Sequence, residues 1–196
     1  MFWLILSIAA WGFVHSLTAS LWFKDLLGGA LGDGFMRFYR LLYNVFSVVS
    51  IGPVLYLMVT LPDRNLYQIP APWSIFMRVG QLLAALLLLV SLLQTDVLSF
   101  AGLRQLLEEE KPGKLVTGGF YRLVRHPLYF FALLVLWLTP SVSLNSFIVT
   151  LAFTLYLLLG MYFEERKLLH EFGRAYADYK SVTPMLIPGL KLPGNN

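Results

Sequence analysis

Hydrophobic residues along the chain gather into five blocks, and polar residues gather between them. The blocks cover about residues 2–23, 38–60, 79–100, 127–138 and 144–163. A helix needs roughly 20 apolar residues to cross a bilayer core, and every block except the fourth approaches that length. The uncharged break Thr139-Pro140-Ser141 predicts a tight hairpin between the last two blocks. The pattern therefore predicts an all-α integral membrane protein with about five transmembrane helices.

The segment after the fifth block is polar but keeps a helical pattern. Apolar or aromatic residues recur every three or four positions at Leu168, Phe172, Tyr176 and Tyr179, with charged residues between them. This spacing predicts an amphipathic C-terminal helix at the cytoplasmic surface, either continuing from the fifth span or lying beside it. Thr183-Pro184 is expected to end it.

Composition supports a single membrane domain over residues 1–196. Hydrophobic residues make up 58% of the chain and charged residues only 13%, whereas a soluble domain is roughly half apolar and a quarter charged. We divide the domain into a three-span N-terminal half, residues 1–100, and a functional half, residues 101–196. The first block has no positively charged start, so we interpret it as a retained helix. Because the chain has no cysteine, thiolate metal sites and cysteine nucleophiles are excluded.

The 15 Lys and Arg residues are distributed unevenly between the two sides of the predicted membrane. Only Arg64 and Arg78 lie on one side, and the others, including Lys111 and Lys191, lie on the opposite side. The positive-inside rule then predicts a cytoplasmic C-terminus and an external N-terminus, in what we expect to be a prokaryotic cytoplasmic membrane. Cytoplasmic loops explain the net charge of +4, so we expect membrane lipid and no nucleic acid as a partner. The oligomeric state is left open.

Two polar segments near the membrane edge could bind a ligand. Before the fourth block, Gly118-Gly119 allows a sharp turn, and Pro127 suits the first turn of a helix that would begin at His126. Free N–H groups at such a helix start are expected to favour an anionic ligand group. The alternative is an ordinary membrane anchor, in which nearby arginines contact head groups and tyrosines form an aromatic belt.

The second polar segment is Glu164-Glu165 at the end of the fifth block. Adjacent residues face different sides of a helix, so one carboxylate can turn inward, where it needs an arginine, a ligand ammonium group or ligand hydroxyls as a partner. An ordinary solvated helix surface is the alternative. Other polar residues lie within or beside apolar blocks: His15, Arg40, Tyr43, Asn44, and Asp96, which we expect to pair with Arg104. No Gly-rich nucleotide motif and no metal-binding spacing of histidines is present, so no metal site is predicted.

Two longer motifs extend around these polar segments. The first motif is Val116-Thr-Gly-Gly-Phe-Tyr-Arg-Leu-Val-Arg-His-Pro-Leu-Tyr129. The second is Glu164-Glu165-x-x-Leu168-x-x-x-Phe172-Gly173-x-x-Tyr176-x-x-Tyr179. Together they resemble the isoprenylcysteine carboxyl methyltransferase and phospholipid methyltransferase superfamily. They occur in the family's order and spacing, and the resemblance covers roughly residues 113–188. The N-terminal half, with His15-Ser16 and Arg40-x-x-Tyr43-Asn44, is similar to the branch of NnrU-like proteins and methanethiol S-methyltransferases.

The resemblance implies an S-adenosylmethionine-dependent membrane methyltransferase that has no Rossmann domain. It implies that the cofactor is contacted by Lys114, Leu115, Val116, Tyr121, His126, Pro127, Leu128, Tyr129, Glu164 and Glu165. It also implies catalytic roles for Arg125, His126 and Tyr129, with His126 acting mainly by positioning. A non-catalytic NnrU-like membrane protein that supports a redox pathway or transport is the alternative function.

One position departs from the pattern of the isoprenylcysteine enzymes. That family is expected to hold an arginine four residues before the first glutamate, where it meets the substrate carboxylate, but this chain has Gly160 there. A glutamine expected in the third loop also has no clear counterpart. We therefore expect a small or lipophilic acceptor without a free acid, most plausibly a thiol.

Overall fold

The computed structural model of the protein describes residues 1–108 and 113–190. These residues form helices, as the sequence predicts, and two short strands that it did not predict. The helices are α1 (Phe2–Ala19), α2 (Leu21–Ser50), α3 (Gly52–Thr60), α4 (Trp73–Leu93), α5 (Val97–Ala101), α6 (Arg104–Leu107), α7 (Pro127–Trp137), α8 (Leu144–Phe172) and α9 (Arg174–Val182). The strands are β1 (Asn65–Gln68) and β2 (Ser141–Ser143). Lys111 and Lys191, which contributed to the predicted charge asymmetry, lie outside the described residues.

Among the described residues, four helical stretches are long and apolar enough to cross a membrane: α1, Leu21–Thr60, α4 and α8. Their apolar side chains are largely exposed, which suits contact with lipid and not with water. The prediction of an all-α membrane protein is confirmed. The fourth predicted span is the exception in length, because α7 has only 11 residues.

Contacts between residues group the described chain into two compact units. The first contains Met1–Arg64, residues 96–108 and Ser143–Val149, and the second contains Asn65–Thr95, Gly113–Val142 and residues 150–190. The single membrane domain expected from composition, and its division after residue 100, stay predictions.

Within the first unit, the chain reverses direction at Gly32 inside α2. Gly32 has φ 75° and ψ 174°, a conformation that only glycine adopts readily. Lys24 Nζ lies 6.0 Å from the centre of the Tyr39 ring, whereas a straight helix would separate their Cα atoms by about 22 Å. The second spanning segment therefore begins only after Gly32. The predicted ion pair between Asp96 and Arg104 is also confirmed in this unit, with Arg104 Nε 3.0 Å from Asp96 Oδ2.

Within the second unit, residues 120–140 run antiparallel to α4 along its whole length. At one end the Gln94 side chain accepts a hydrogen bond from the Phe120 N–H, at 2.9 Å. Near the middle of α4, Gln81 Nε2 donates to the Val135 carbonyl, at 2.7 Å, and just before the other end of α4 the Ile69 N–H donates to the Pro140 carbonyl. α4 has 21 residues, so this segment covers about 31 Å although only part of it is α-helical.

The end of the second unit matches the predicted amphipathic helix. α8 continues the fifth apolar block to Phe172, Gly173 turns the chain with φ 52°, and α9 then ends at Val182, just before Thr183-Pro184. Tyr176 and Tyr179 on α9 are both buried. The aromatic stripe read from the sequence is thus the face that packs into the unit.

Candidate functional site

The site forms where α7 begins, and all of its residues belong to the second unit. Val124, Arg125, His126 and Pro127 are buried, with Arg125 only 5% and His126 only 4% exposed. Pro127 occupies the first helical position, where the absence of its N–H costs nothing. Two charged or ionisable side chains are thereby carried into the interior, and each needs a partner there.

Arg125 finds its main partner in Glu165 on α8. Its Nε lies 2.8 Å from Glu165 Oε1 and its Nη2 lies 2.9 Å from Glu165 Oε2. This is the two-pronged geometry in which a guanidinium binds a carboxylate most strongly. The inward-facing carboxylate of the Glu164-Glu165 pair is therefore Glu165, and its partner is an arginine of the chain.

Arg125 also binds the segment that follows α9. Its Nη1 donates to the Thr183 carbonyl, at 2.6 Å, and to the Lys180 carbonyl, at 3.2 Å. Four of the five guanidinium N–H groups are thus directed at acceptors within the protein. This geometry supports a positioning role for Arg125, in place of the direct catalytic role that the resemblance implies.

Glu165 is the centre of the buried network. Besides Arg125, it binds His126 Nε2, 2.8 Å from its Oε1, and accepts a hydrogen bond from the Tyr176 hydroxyl, at 2.6 Å. Lys180 Nζ lies 3.7 Å from its Oε2. Burial and the hydrogen bond to Glu165 raise the pKa of Tyr176, so this hydroxyl keeps its proton and acts as a donor. The carboxylate is satisfied within the protein.

Glu164 differs from its neighbour. Its side chain is 41% exposed, but its Oε2 atom is buried and has no hydrogen-bond partner among the described residues. His126 Nδ1 lies 3.7 Å from this atom. Glu165 accepts a hydrogen bond from His126 Nε2, so in the neutral form of the ring the other nitrogen, Nδ1, presents a lone pair. Two acceptors then face each other across a gap, which suits a ligand group with several N–H or O–H donors.

The chain after α9 closes one side of the network. The carbonyl oxygens of Pro184 and Met185 accept hydrogen bonds from the backbone N–H groups of Arg125 and His126, at 2.9 and 3.1 Å. The His126 N–H group at this helix start is therefore occupied by one of the chain's own carbonyl groups and is not free for an anionic ligand, whereas for Leu128 and Tyr129 the expectation stays a prediction. The unsatisfied Oε2 of Glu164 favours a cationic or donor-rich ligand.

The turn Gly119–Arg122 lies on another side of the site. The Tyr121 carbonyl accepts a hydrogen bond of 2.5 Å from the Tyr179 hydroxyl, which attaches the turn to α9. Burial, reinforced by the nearby negative charge of Glu164, raises the pKa of Tyr121 to about 12. The Tyr121 phenol is therefore a neutral group beside the unsatisfied carboxylate.

Tyr129 and Gly160 define the apolar side of the site. The Tyr129 and His126 rings pack edge to face with their centres 5.4 Å apart. A Cβ atom added to Gly160 would lie 3.9 Å from the Tyr129 hydroxyl. The missing side chain at Gly160 thus leaves room next to this hydroxyl, at the position where the isoprenylcysteine enzymes are expected to hold their arginine.

The remaining residues that the resemblance assigns to the cofactor lie before the Gly119–Arg122 turn and at the start of α7. Lys114 is exposed, Leu115 and Val116 are half-buried in the irregular segment before the turn, and Leu128 is half-buried in the first turn of α7. Their contacts with a cofactor stay a prediction.

Sequence reasoning missed the polar roles of several residues. Tyr176 and Tyr179 were recognised as an aromatic stripe, but nothing in their spacing indicates that their hydroxyl groups bind Glu165 and the Tyr121 carbonyl. Thr183 was predicted only as a helix end, and Gln94 was not singled out. The repeated tyrosines on a polar helix could have indicated these roles, because buried tyrosines usually have a hydrogen-bond partner.

The fold and the site together define a helical membrane protein with a buried Arg-His-Glu network beside one unsatisfied glutamate. The family described as Protein of unknown function (DUF1295) matches residues 35–183 of the chain. This range includes every residue of the network except Pro184 and Met185, which contribute carbonyl groups. The chain belongs to this family.

Several relatives with named activities are similar to parts of the chain. Methanethiol S-methyltransferase of Pseudomonas deceptionensis is 34% identical over 110 residues, which are 54% of this chain and 42% of that protein. Methanethiol S-methyltransferase 2 of Bradyrhizobium diazoefficiens is 46% identical over 70 residues, 36% of this chain and 27% of that protein. Methanethiol S-methyltransferase of Crocosphaera subtropica is 36% identical over 128 residues, 59% and 50% of the two chains. The matches span half the length of these relatives or less, and no solved structure matches the chain.

Proposed function

We propose that this protein is an integral membrane methyltransferase that uses S-adenosylmethionine and acts on a small thiol. The observation that carries the proposal is the buried, unsatisfied Oε2 of Glu164 facing His126 Nδ1, within a segment covered by the family match. The names of the relatives support the reaction class and the acceptor.

The residues of the site fit an amino-acid-bearing methyl donor. An ammonium group carries three N–H donors and a positive charge, so it can satisfy both Glu164 Oε2 and the His126 Nδ1 lone pair. In an environment that excludes water, a charge-assisted hydrogen bond of this kind is worth more than a neutral one. Lys114, Leu115, Val116, Tyr121, Pro127, Leu128 and Tyr129 would form the rest of the binding surface, as the resemblance implies.

S-adenosylmethionine supplies an electrophilic methyl group on a sulfonium. Transfer to a thiol, once its proton has passed to water, would be an in-line displacement in which one sulfur–carbon bond forms as the sulfonium sulfur–carbon bond breaks and opposite charges are neutralised. The chain's contribution is alignment of the two reactants and exclusion of water. In this proposal Glu165, Arg125 and Tyr176 hold His126 in one orientation, and His126 with Glu164 holds the donor.

The acceptor follows from the space beside Tyr129. A substrate carboxylate brought to Gly160 would meet the Tyr129 hydroxyl and no cation at that position of the chain. An unpaired carboxylate in a poorly solvated site costs several kcal/mol. A small thiol, which is apolar and carries no acid, avoids this cost and can also partition through the membrane.

The topology is proposed from charge and from the antiparallel course of residues 120–140. Because this segment follows α4 from end to end, it crosses the membrane wherever α4 does, and the number of crossings is odd. Reporter fusions should therefore place the N-terminus outside and the C-terminus in the cytoplasm, in agreement with the distribution of Lys and Arg. Both termini reporting from the same side would contradict the five-crossing topology.

Binding of S-adenosylhomocysteine to the purified protein tests the use of the cofactor. Isothermal calorimetry in mild detergent should give saturable one-site binding, since the product keeps the ammonium group that we assign to Glu164. Adenosine alone is the matched control and should bind more weakly. A protein that is folded by circular dichroism and binds neither compound would favour the non-catalytic NnrU-like alternative.

A further inference from the structure

Gln94 connects the end of α4 to the turn that carries Tyr121. It lies at the C-terminal cap of α4, and its Oε1 accepts a hydrogen bond of 2.9 Å from the Phe120 N–H. Phe120 lies within the turn Gly119–Arg122, immediately before Tyr121. The side chain of Gln94 thus satisfies a backbone group of the turn from a different helix.

Gly119 makes this contact possible. It has φ 58°, in the left-handed region that favours glycine, and a Cβ atom at this position would overlap the Gln94 side-chain amide. Gly118, the preceding residue, is different: its φ is −92°, and an added Cβ would meet no atom within 4 Å. Of the two glycines, only Gly119 has the Gln94 side chain in the space that a Cβ atom would occupy.

The turn is held from two directions. Gln94 binds the Phe120 N–H from α4, and the Tyr179 hydroxyl binds the Tyr121 carbonyl from α9. Tyr121 lies between these two contacts, and the negative charge of Glu164 contributes to the raised pKa of its phenol. Movement of the turn would therefore displace Tyr121 relative to the carboxylate.

We infer that Gln94 is a positioning residue that fixes the Gly119–Arg122 turn and so places Tyr121 beside Glu164 for binding of the adenosyl ligand. The inference rests on the proposed function, because it concerns the affinity of the same site. Gln94 does not contact the ligand and acts only through the turn. The hydrogen-bond acceptor of its side chain is the property that matters.

Two substitutions that keep the length of the Gln94 side chain distinguish the effect of its hydrogen-bond acceptor from the effect of its volume. Gln94→Glu keeps an acceptor for the Phe120 N–H, whereas Gln94→Met fills the same space without a strong one. Loss of one net hydrogen bond should weaken S-adenosylhomocysteine binding by about 5-fold in Gln94→Met, while Gln94→Glu should stay close to the wild type. Equal affinities of Gln94→Met and wild type would overturn the inference and leave the methyltransferase proposal standing.

The contact between positions 94 and 119 is tested by a double-mutant cycle. Gly119→Ala should lower both the midpoint of thermal unfolding and the affinity, because the added methyl group overlaps Gln94. Adding Gln94→Ala should restore part of both losses by making room, whereas Gly118→Ala serves as a folding control and should unfold near the wild-type midpoint. Strictly additive effects of the two substitutions would contradict the contact. A wild-type protein without S-adenosylhomocysteine binding would overturn both this inference and the proposed function.

Discussion

Replacing Arg125 with alanine should destabilise the protein by about 3–5 kcal/mol, the usual loss when one partner of a buried ion pair is removed. Glu165 would keep its hydrogen bonds to His126 and Tyr176 but would lose the nearer of its two cations, with Lys180 Nζ left 3.7 Å from Oε2. The Thr183 and Lys180 carbonyls would lose their donor at the same time. Arg125→Lys should also be damaging, because an ammonium group cannot reproduce the paired contact with both carboxylate oxygens.

Chemical denaturation in detergent, followed by circular dichroism, measures this effect. The matched control is Arg122→Ala, which removes an exposed arginine three residues earlier in the same segment. The control should unfold close to the wild type. If Arg125→Ala and Arg122→Ala unfolded alike, the buried network would not hold α8 and α9 together as we describe.

Replacing Glu164 should weaken the binding of S-adenosylhomocysteine without a comparable loss of stability. Glu164→Ala removes the acceptor that is unsatisfied in the structure, and the loss of a charged hydrogen bond to a ligand costs about 1–3 kcal/mol, or about 5- to 150-fold in affinity. Stability should change little, because no hydrogen bond of the described residues depends on this oxygen. His126→Ala should weaken binding by a similar factor but should also lower stability, since His126 binds Glu165.

Calorimetric titration of these variants separates binding from folding. Glu171→Gln is the control, because it removes a carboxylate from an exposed position on the same helix. It should bind like the wild type. Unchanged affinity in both Glu164→Ala and His126→Ala, with folding intact, would assign these residues to structure alone.

Much of the fold could be predicted because membrane crossing depends on length and hydrophobicity, which are readable in the sequence. The start of α8 and the end of α9 could be read from the apolar block and Thr183-Pro184, but the break at Gly173 was not predicted. The reversal at Gly32 could not, because four glycines lie between residues 28 and 34 and the sequence does not show which of them adopts the left-handed conformation. The path of residues 120–140 along α4 could not be predicted either, because it depends on contacts with Gln81 and Gln94 and not on helix length.

The sequence identified the segments that form the site, but not the hydrogen bonds between their residues. Pro127 marked the helix start and Glu164-Glu165 marked the acidic end of α8, so the right segments were identified. Which glutamate faces inward could not be decided, because neighbouring helix positions differ by only about 100° and the choice depends on where Arg125 lies. The occupation of the Arg125 and His126 N–H groups by Pro184 and Met185 depends on tertiary folding of the C-terminal segment.

The identity of the acceptor is the most direct test of the proposal. Purified protein incubated with S-adenosylmethionine carrying a deuterated methyl group, together with methanethiol, larger alkyl and aryl thiols, and N-acetyl-farnesylcysteine, can be analysed by mass spectrometry. We expect labelled thioethers from the small thiols, dimethyl sulfide among them, and no labelled ester, because Gly160 provides no cation for a carboxylate. Labelled prenylcysteine ester with silent thiols would contradict the thiol assignment, and no labelled product from any acceptor would contradict the enzyme itself.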